Sequence, residues 1–161
     1  MAKVYSETRP SAILMTSPRR MWQTALVGVI VGLIAWGIAW LFDTYLYTIV
    51  LCRGDLVAKC TSAPQYAEVT AGIIAAGIGL FALARLQIFR PLPIAIAALI
   101  SLWGLLLLTA PLSWLGAALA TAILYGLAYA LFGWAVRIRS FLFAMVVVIV
   151  LVVIVRMTIV A

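Results

Sequence analysis

The stretch WLGAALATAILYGLAYALFGWAV, residues 114–136, decides the fold class because it contains no charged side chain before Arg137. About 20 apolar residues, each rising 1.5 Å, are enough to cross a hydrocarbon core of roughly 30 Å. Small residues recur at every fourth position of this stretch: Ala118, Ala122, Gly126 and Ala130. Such a stripe is typical of a membrane helix that packs closely against a neighbour. The stretch therefore predicts a transmembrane helix with one packing face.

The composition of the whole chain points the same way. Of its 161 residues, 68% are hydrophobic and 9% are charged, and the mean hydropathy is +1.27. Soluble domains contain about 25% charged and about 45–50% apolar residues. A soluble globular protein is therefore excluded, and the predicted fold is an all-α, polytopic integral membrane protein.

Five apolar stretches are long enough to be spanning helices. They are residues 22–42, 66–89, 93–110, 114–136 and 141–161. The first can continue toward Leu51, and a re-entrant pair around Pro111 is an alternative to two full spans. We expect a bundle of about five transmembrane helices over residues 21–161, with an outside loop over 51–64. Residues 1–20 are polar and basic, and we expect a mobile cytoplasmic tail there.

The basic residues orient the predicted helices. The tail and two of the links hold eight of the eleven: Lys3, Arg9, Arg19, Arg20, Arg85, Arg90, Arg137 and Arg139. The opposite side holds Arg53 and Lys59, and basic loops are retained in the cytoplasm. We therefore expect a protein of the plasma (inner) membrane with its N-terminus in the cytoplasm and its C-terminus outside. Because the charge forms no continuous basic face, nucleic acid is not an expected partner.

Small residues also mark two other predicted helices. They are Gly28 and Gly32 in the first helix, and Ala71, Ala75 and Gly79 in the second. Helices in lipid associate by close packing, so these stripes predict interfaces, although alanine and glycine are common in all membrane helices. The third and fifth stretches carry large side chains, as in residues 105–108 and 146–153. We expect the first, second and fourth helices to form the core, with the third and fifth facing lipid.

Both cysteines, Cys52 and Cys60, fall in the predicted outside loop. An oxidising compartment favours a disulfide between them. A redox-active pair and a metal site are the alternatives. The spacing is not Cys-x-x-Cys, and two sulfurs without any histidine leave zinc undercoordinated. We expect a structural disulfide and no metal site.

Three charged residues are predicted to lie at one level near the outer membrane boundary: Asp43, Glu68 and Arg156. Counted along the helix, Asp43 lies about 32 Å from Trp22. Glu68 is in the second turn of the second helix, and Arg156 lies about 22 Å into the last. Ionisable residues in membrane segments tend to pair or to line polar sites, so we expect a cluster that faces a small outward cavity. The alternative is that interfacial water solvates the acids while Arg156 extends to the surface alone.

The chain has few residues suited to catalysis. It has no histidine and only four acidic residues, so most metal sites and general-base mechanisms lack their usual groups. We expect neither an enzyme nor a bound cofactor. The sequence favours an accessory, scaffold or regulatory subunit of a larger membrane complex, whose partners are the lipid bilayer and other membrane subunits or a second copy. The alternative is a membrane-embedded subunit that binds or transports a small apolar or amphipathic solute.

Overall fold

The computed structural model describes residues 18–51, 62–88, 90–109, 111–138 and 140–160. Within these ranges the chain is helical almost throughout and contains no strand, which confirms the predicted all-α class. Helix α1 (Pro18–Leu41) continues through a wider π-helical turn (Phe42–Tyr47) into the short α2 (Thr48–Leu51). The later helices are α3 (Ala63–Arg85), α4 (Pro91–Ser101), α5 (Leu105–Thr109), α6 (Trp114–Ala135) and α7 (Phe141–Val160).

Three helical stretches among the described residues are long and apolar enough to cross a membrane: Arg19–Val50, Ala63–Arg85 and Trp114–Ala135. They match the first, second and fourth predicted spans, and the first continues past Leu41 as predicted. Two further apolar stretches are shorter: Pro91–Ser101 and Leu142–Val155. The three long helices are consistent with a membrane protein, because a helix satisfies its own backbone hydrogen bonds where no water is present.

The prediction of one continuous third helix over residues 93–110 is wrong. Helix α4 ends at Ser101, the chain turns over residues 102–104, and α5 begins at Leu105. The 11 residues of α4 rise only about 16 Å, roughly half of a hydrocarbon core. Gly104 has a φ of 90°, a conformation that is easy for glycine and costly for other residues. An unbroken apolar pattern does not reveal such a backbone turn.

Helices α1 and α6 form the largest helix contact and lie antiparallel. A Cβ atom at Gly28 would lie 2.6 Å from the Tyr125 carbonyl oxygen. On the facing helix, a Cβ atom at Gly126 would lie 2.7 Å from Cγ2 of Val29. The two backbones can approach this closely because both positions are glycine, as is usual where membrane helices pack.

Helix α3 packs against α1 and contacts an aromatic side chain of α6. Tyr129 of α6 is only 1% exposed, and its hydroxyl lies against Gly79, where a Cβ atom would overlap it. Val31 of α1 borders the same position at 3.4 Å. Tyr129 therefore joins α1, α3 and α6 at the centre of the bundle.

Helix α4 lies in the core, which differs from our expectation that the third helix faces lipid. It packs against α3, α6 and α7. Its buried residues are Ile94, Ala95, Ala97, Ala98 and Ser101. The alanines give α4 a small-residue face of its own, which the large side chains of residues 105–108 obscure in the sequence. Helix α7 has only Ala144 and Val148 buried among its described side chains, which fits an outer position.

The antiparallel order of the helices separates the described charges into two ends. Thr24 of α1 lies against Gly133 of α6, so the start of α1 is level with the end of α6. Asp43 and Pro64 line one cavity, so α3 starts near the end of α1. The arginine end, as we call it, therefore carries five arginines: Arg19, Arg20, Arg85, Arg90 and Arg137. The opposite end, with Asp43 and Pro64, is called the Asp43 end.

Candidate functional site

A cavity of about 420 Å³ opens at the Asp43 end of the bundle, and we call it the aromatic cavity. Its walls come from the end of α1, the π-helical turn, the start of α3, the end of α5 and the start of α6. Three tryptophans line it, Trp36, Trp40 and Trp114, together with Asp43. Asp43 is the only charged residue among the described lining residues. The other described lining residues are apolar apart from Thr109.

The position of Trp114 is fixed by the way α6 begins. Ser113 is the N-cap of α6, and its hydroxyl oxygen accepts a hydrogen bond from the Gly116 N–H at 3.2 Å. This cap satisfies one of the free donors of the first turn. The ring of Trp114 stacks on Trp36 with 5.8 Å between ring centroids and 27° between ring planes. The stacked pair forms an aromatic wall that joins α1 to α6.

Asp43 lies in the π-helical turn, where the helix is locally wider. The hydroxyl of Thr48 donates a hydrogen bond to the Asp43 carbonyl oxygen, five residues back. Tyr47 in the same turn packs on Tyr66 of α3, with 6.0 Å between ring centroids. A widened turn changes the direction of the side chains that follow it and is frequent at functional sites. Here it accompanies a carboxylate that lines a cavity.

A second, much smaller cavity is lined by α1, α3, the turn after α4, the start of α5 and α6, and we call it the Glu68 cavity. Its volume is about 20 Å³, enough for one water molecule. Glu68, Thr121 and Tyr125 are its polar lining residues. Oε1 of Glu68 accepts a hydrogen bond from the Gly104 N–H at 2.5 Å. The carboxylate thus satisfies a donor that the break between α4 and α5 would otherwise leave unpaired.

The structure describes the side chains of two of the three residues in the predicted polar cluster of Asp43, Glu68 and Arg156. Asp43 lines the aromatic cavity, Glu68 lines the Glu68 cavity, and Trp36 lines both. The two acids therefore line separate spaces that share Trp36 as a wall. Arg156 belongs to α7, and its side chain lies outside the described part of the structure. The predicted disulfide partners, Cys52 and Cys60, also lie outside the described residues.

The small residues singled out in the sequence lie mostly in the helix contacts. A Cβ atom at Gly32 would lie 2.9 Å from the Thr121 carbonyl oxygen. Those on α3 are buried: Ala71, Ala75 and Gly79. Those on α6 are buried at Ala118, Ala122 and Gly126, whereas Ala130 is half-buried.

Ala130 borders a third space, a groove of about 450 Å³ on the outer surface between α1 and α6. We call it the α1–α6 groove. Its walls run from Met21 to Val29 on α1 and from Ile123 to Ala130 on α6. All of the described lining residues are apolar, and the smallest ones, Ala25, Gly126 and Ala130, widen it.

Sequence reasoning missed two features of these sites. One is the pairing of Trp36 with Trp114, which depends on two helices far apart in the chain. The bond between Glu68 and Gly104 was not expected either. Its one visible signal in the sequence is Gly104, a glycine inside the apolar run of residues 102–108. A glycine can interrupt a helix and free a backbone N–H, and an acid in a membrane helix needs such a hydrogen-bond donor.

The described residues contain no group of three or more His, Cys, Asp and Glu side chains that could hold a metal ion. No protein-family model, curated protein or solved structure matches this chain. Function is therefore inferred from the geometry of the two cavities and the groove.

Proposed function

We propose that this chain is a small non-catalytic integral membrane protein that serves as an accessory, scaffold or regulatory subunit of a larger membrane complex. The observation that carries the proposal is the α1–α6 groove. It lies on the outside of the bundle, where the surrounding medium is lipid, and it is apolar along the whole of its described lining. A membrane helix of a partner protein is the occupant that we propose.

The shape of the groove supports a helix as its occupant. Ala25, Gly126 and Ala130 are small, and Trp22 and Leu127 beside them are large and exposed. Because membrane helices gain little from leaving lipid, their association depends on close contact of this kind. The groove extends over about two turns of each helix, which matches the contact length of two crossing helices.

We further propose that the bundle crosses the plasma membrane five times, with a cytoplasmic N-terminus and an outside C-terminus. The arginine end collects Arg19, Arg20, Arg85, Arg90 and Arg137, which supports a cytoplasmic location for that end. In this arrangement α4, the turn at residues 102–104 and α5 together make one broken crossing. Helix α7 makes the fifth.

Site-directed photocrosslinking in the native membrane tests the accessory role. A photoreactive residue is placed at Leu127, 62% exposed in the groove, or at Phe81, 61% exposed on α3 as the control. We expect Leu127, and not Phe81, to crosslink one other membrane protein, and native mass spectrometry to show that protein in a fixed ratio. Crosslinks to lipid alone, or only to a second copy of the chain, would contradict the accessory role.

A matched pair of substitutions shows whether the groove itself holds the partner. Ala130→Leu fills the groove, whereas Ala120→Leu adds the same atoms to a half-buried position of α6 outside it. We expect the complex to be lost with Ala130→Leu and kept with Ala120→Leu. Equal effects of both changes would mean that the groove is not the binding surface.

A second candidate function is binding of an amphipathic ligand, and the aromatic cavity is the observation that favours it. Its volume of about 420 Å³ lies within the range of about 300–1,000 Å³ that is common for ligand sites. Its mixture of aromatic walls and one carboxylate is also typical of such sites.

A further inference from the structure

We infer that the aromatic cavity binds an organic ammonium group carried on an amphiphile, with Asp43 as the counter-charge and tryptophan rings as cation–π contacts. This inference rests on the second candidate function and names its ligand class. The ammonium group can belong to a lipid headgroup or to a free cationic amphiphile.

The arrangement of the rings is the first reason. Trp36 and Trp114 stack at 5.8 Å, and Trp40 lines the same cavity from the next turn of α1. Tryptophan has the most favourable ring face for a cation, and aromatic cages are a common way to recognise quaternary ammonium groups. An aromatic wall that is partly open to the membrane boundary is therefore suited to such a group.

The charge of the cavity is the second reason. Asp43 is the only charged residue among its described lining residues, so the described part of the wall carries a net negative charge. An anion would be repelled by both the carboxylate and the ring faces. A cation is attracted by both, and the attraction is stronger near the bilayer than in bulk water because the effective dielectric constant is lower.

The oxygen groups of the cavity argue against a bare metal ion. Calcium and magnesium need about six oxygen ligands. Among the described lining residues, the side-chain oxygens belong to Asp43 and Thr109, and the Thr109 hydroxyl already donates to the Leu105 carbonyl oxygen at 3.1 Å. An ammonium group needs far fewer oxygen contacts, because the rings supply most of its surroundings.

The exposure of the cavity mouth explains why the ligand is an amphiphile. Trp40 and Trp114 are 52% and 66% exposed, and Leu112 beside them is also exposed. Asp43 lies about 32 Å along the helix from Trp22, near the level where headgroups meet water. A polar head can therefore occupy the cavity while an alkyl tail remains in the bilayer.

Titration of the full chain in dodecyl maltoside tests the inference, with bound adducts counted by native mass spectrometry. The probes are dodecyltrimethylammonium, dodecyl sulfate and the neutral dodecyl dimethylphosphine oxide. We expect one molecule of the ammonium probe to bind and no saturable binding of the other two. Asp43→Asn should weaken the binding at least about tenfold, since it removes the charge and keeps the shape.

Two tryptophan variants separate the site from a general effect on the fold. Trp114→Ala should weaken binding of the ammonium probe about three- to thirtyfold. Trp134→Ala is the control, because Trp134 is also on α6, is 51% exposed and lies at the arginine end. It should leave binding unchanged. Thermal unfolding of each variant, followed by circular dichroism, confirms that the bundle is intact.

The outcomes are distinguishable. One outcome is that all three probes bind equally and that Trp114→Ala abolishes this binding. It would overturn the ammonium inference and leave an amphiphile site in place. Absence of saturable binding would overturn both the inference and the second candidate function. If the ammonium probe binds, nanodiscs with two uncharged surfaces identify the source: weaker binding in phosphatidylcholine than in digalactosyldiacylglycerol, which has no ammonium group, supports a lipid headgroup as the occupant, and equal binding supports a free amphiphile.

Discussion

Gly28→Ala is expected to destabilise the bundle by about 2 kcal/mol, because the new methyl group has no room between α1 and α6. Its Cβ atom would lie 2.6 Å from the Tyr125 carbonyl oxygen, 2.7 Å from Cβ of Tyr129 and 2.9 Å from Cα of Gly126. Two of these contacts involve backbone atoms, which cannot move independently of their helix. Gly37→Ala is the control on the same helix, since nothing lies within 4 Å of the added atom.

The size of the effect follows from the distances. Ordinary van der Waals contact begins at about 3.4 Å, so the two helices must separate by about 0.5–0.8 Å at this point. A radial gap of about 0.5–1 Å removes a quarter to a half of the dispersion energy of each affected contact. Overpacking of this kind costs about 1–3 kcal/mol, whereas Gly37→Ala should be neutral or stabilising by up to about 1 kcal/mol.

Reversible unfolding in mixed dodecyl maltoside and dodecyl sulfate micelles, followed by circular dichroism, measures both variants. The comparison is between the free energies of unfolding of Gly28→Ala and Gly37→Ala. A difference of less than about 0.5 kcal/mol would refute the close contact between α1 and α6 at this level.

Three further predictions concern the helix break, the topology and the cysteines. Glu68→Ala should lower the free energy of unfolding by about 2 kcal/mol, because the Gly104 N–H loses its acceptor. Glu68→Gln should lower it less, since a side-chain oxygen remains to accept the hydrogen bond. Equal losses in the two variants would contradict the hydrogen bond between Glu68 and Gly104. A reporter enzyme fused after Ala161 should be active outside the cytoplasm, and activity inside would rule out five crossings with a cytoplasmic N-terminus. Thiol labelling without reductant should leave Cys52 and Cys60 unmodified and should modify both after reduction, whereas labelling before reduction would exclude the disulfide.

The long helices could be predicted because their signal is local. A sufficiently long run of apolar residues must satisfy its own backbone hydrogen bonds in lipid, and a helix does so. This rule predicts the ends of α1, α3 and α6 to within a few residues. The same ground allows α1 to continue toward Leu51, but the π-helical turn within that continuation has no signal in the sequence pattern. The close approach at Gly28 also has a local signal, which is its four-residue spacing from Gly32 and not the glycine alone, since Gly37 of the same helix has nothing within 4 Å of an added Cβ atom.

The burial of α4 and the pairs of residues that meet in the two cavities could not be predicted in this way. In a membrane, lipid-facing and buried side chains are both apolar, so hydropathy does not tell Leu108, which is exposed, from Leu105, which is buried. The aromatic cavity depends on residue 36 meeting residue 114, and the Glu68 cavity on residue 68 meeting residue 104. Such pairings are set by the helix arrangement, which a single sequence does not determine.

The length of the first helical stretch limits how the protein sits in a bilayer. Arg19–Val50 contains 32 residues and is about 48 Å long. Even at a tilt of about 40°, near the upper limit for membrane helices, it covers about 37 Å along the membrane normal, more than the hydrocarbon thickness of roughly 30 Å. The apolar part between Trp22 and Asp43 matches the hydrocarbon thickness, so the excess length at the two ends of the helix is expected to lie among the headgroups. A change in bilayer thickness is then expected to change the depth of Asp43 and of the aromatic cavity relative to the headgroups.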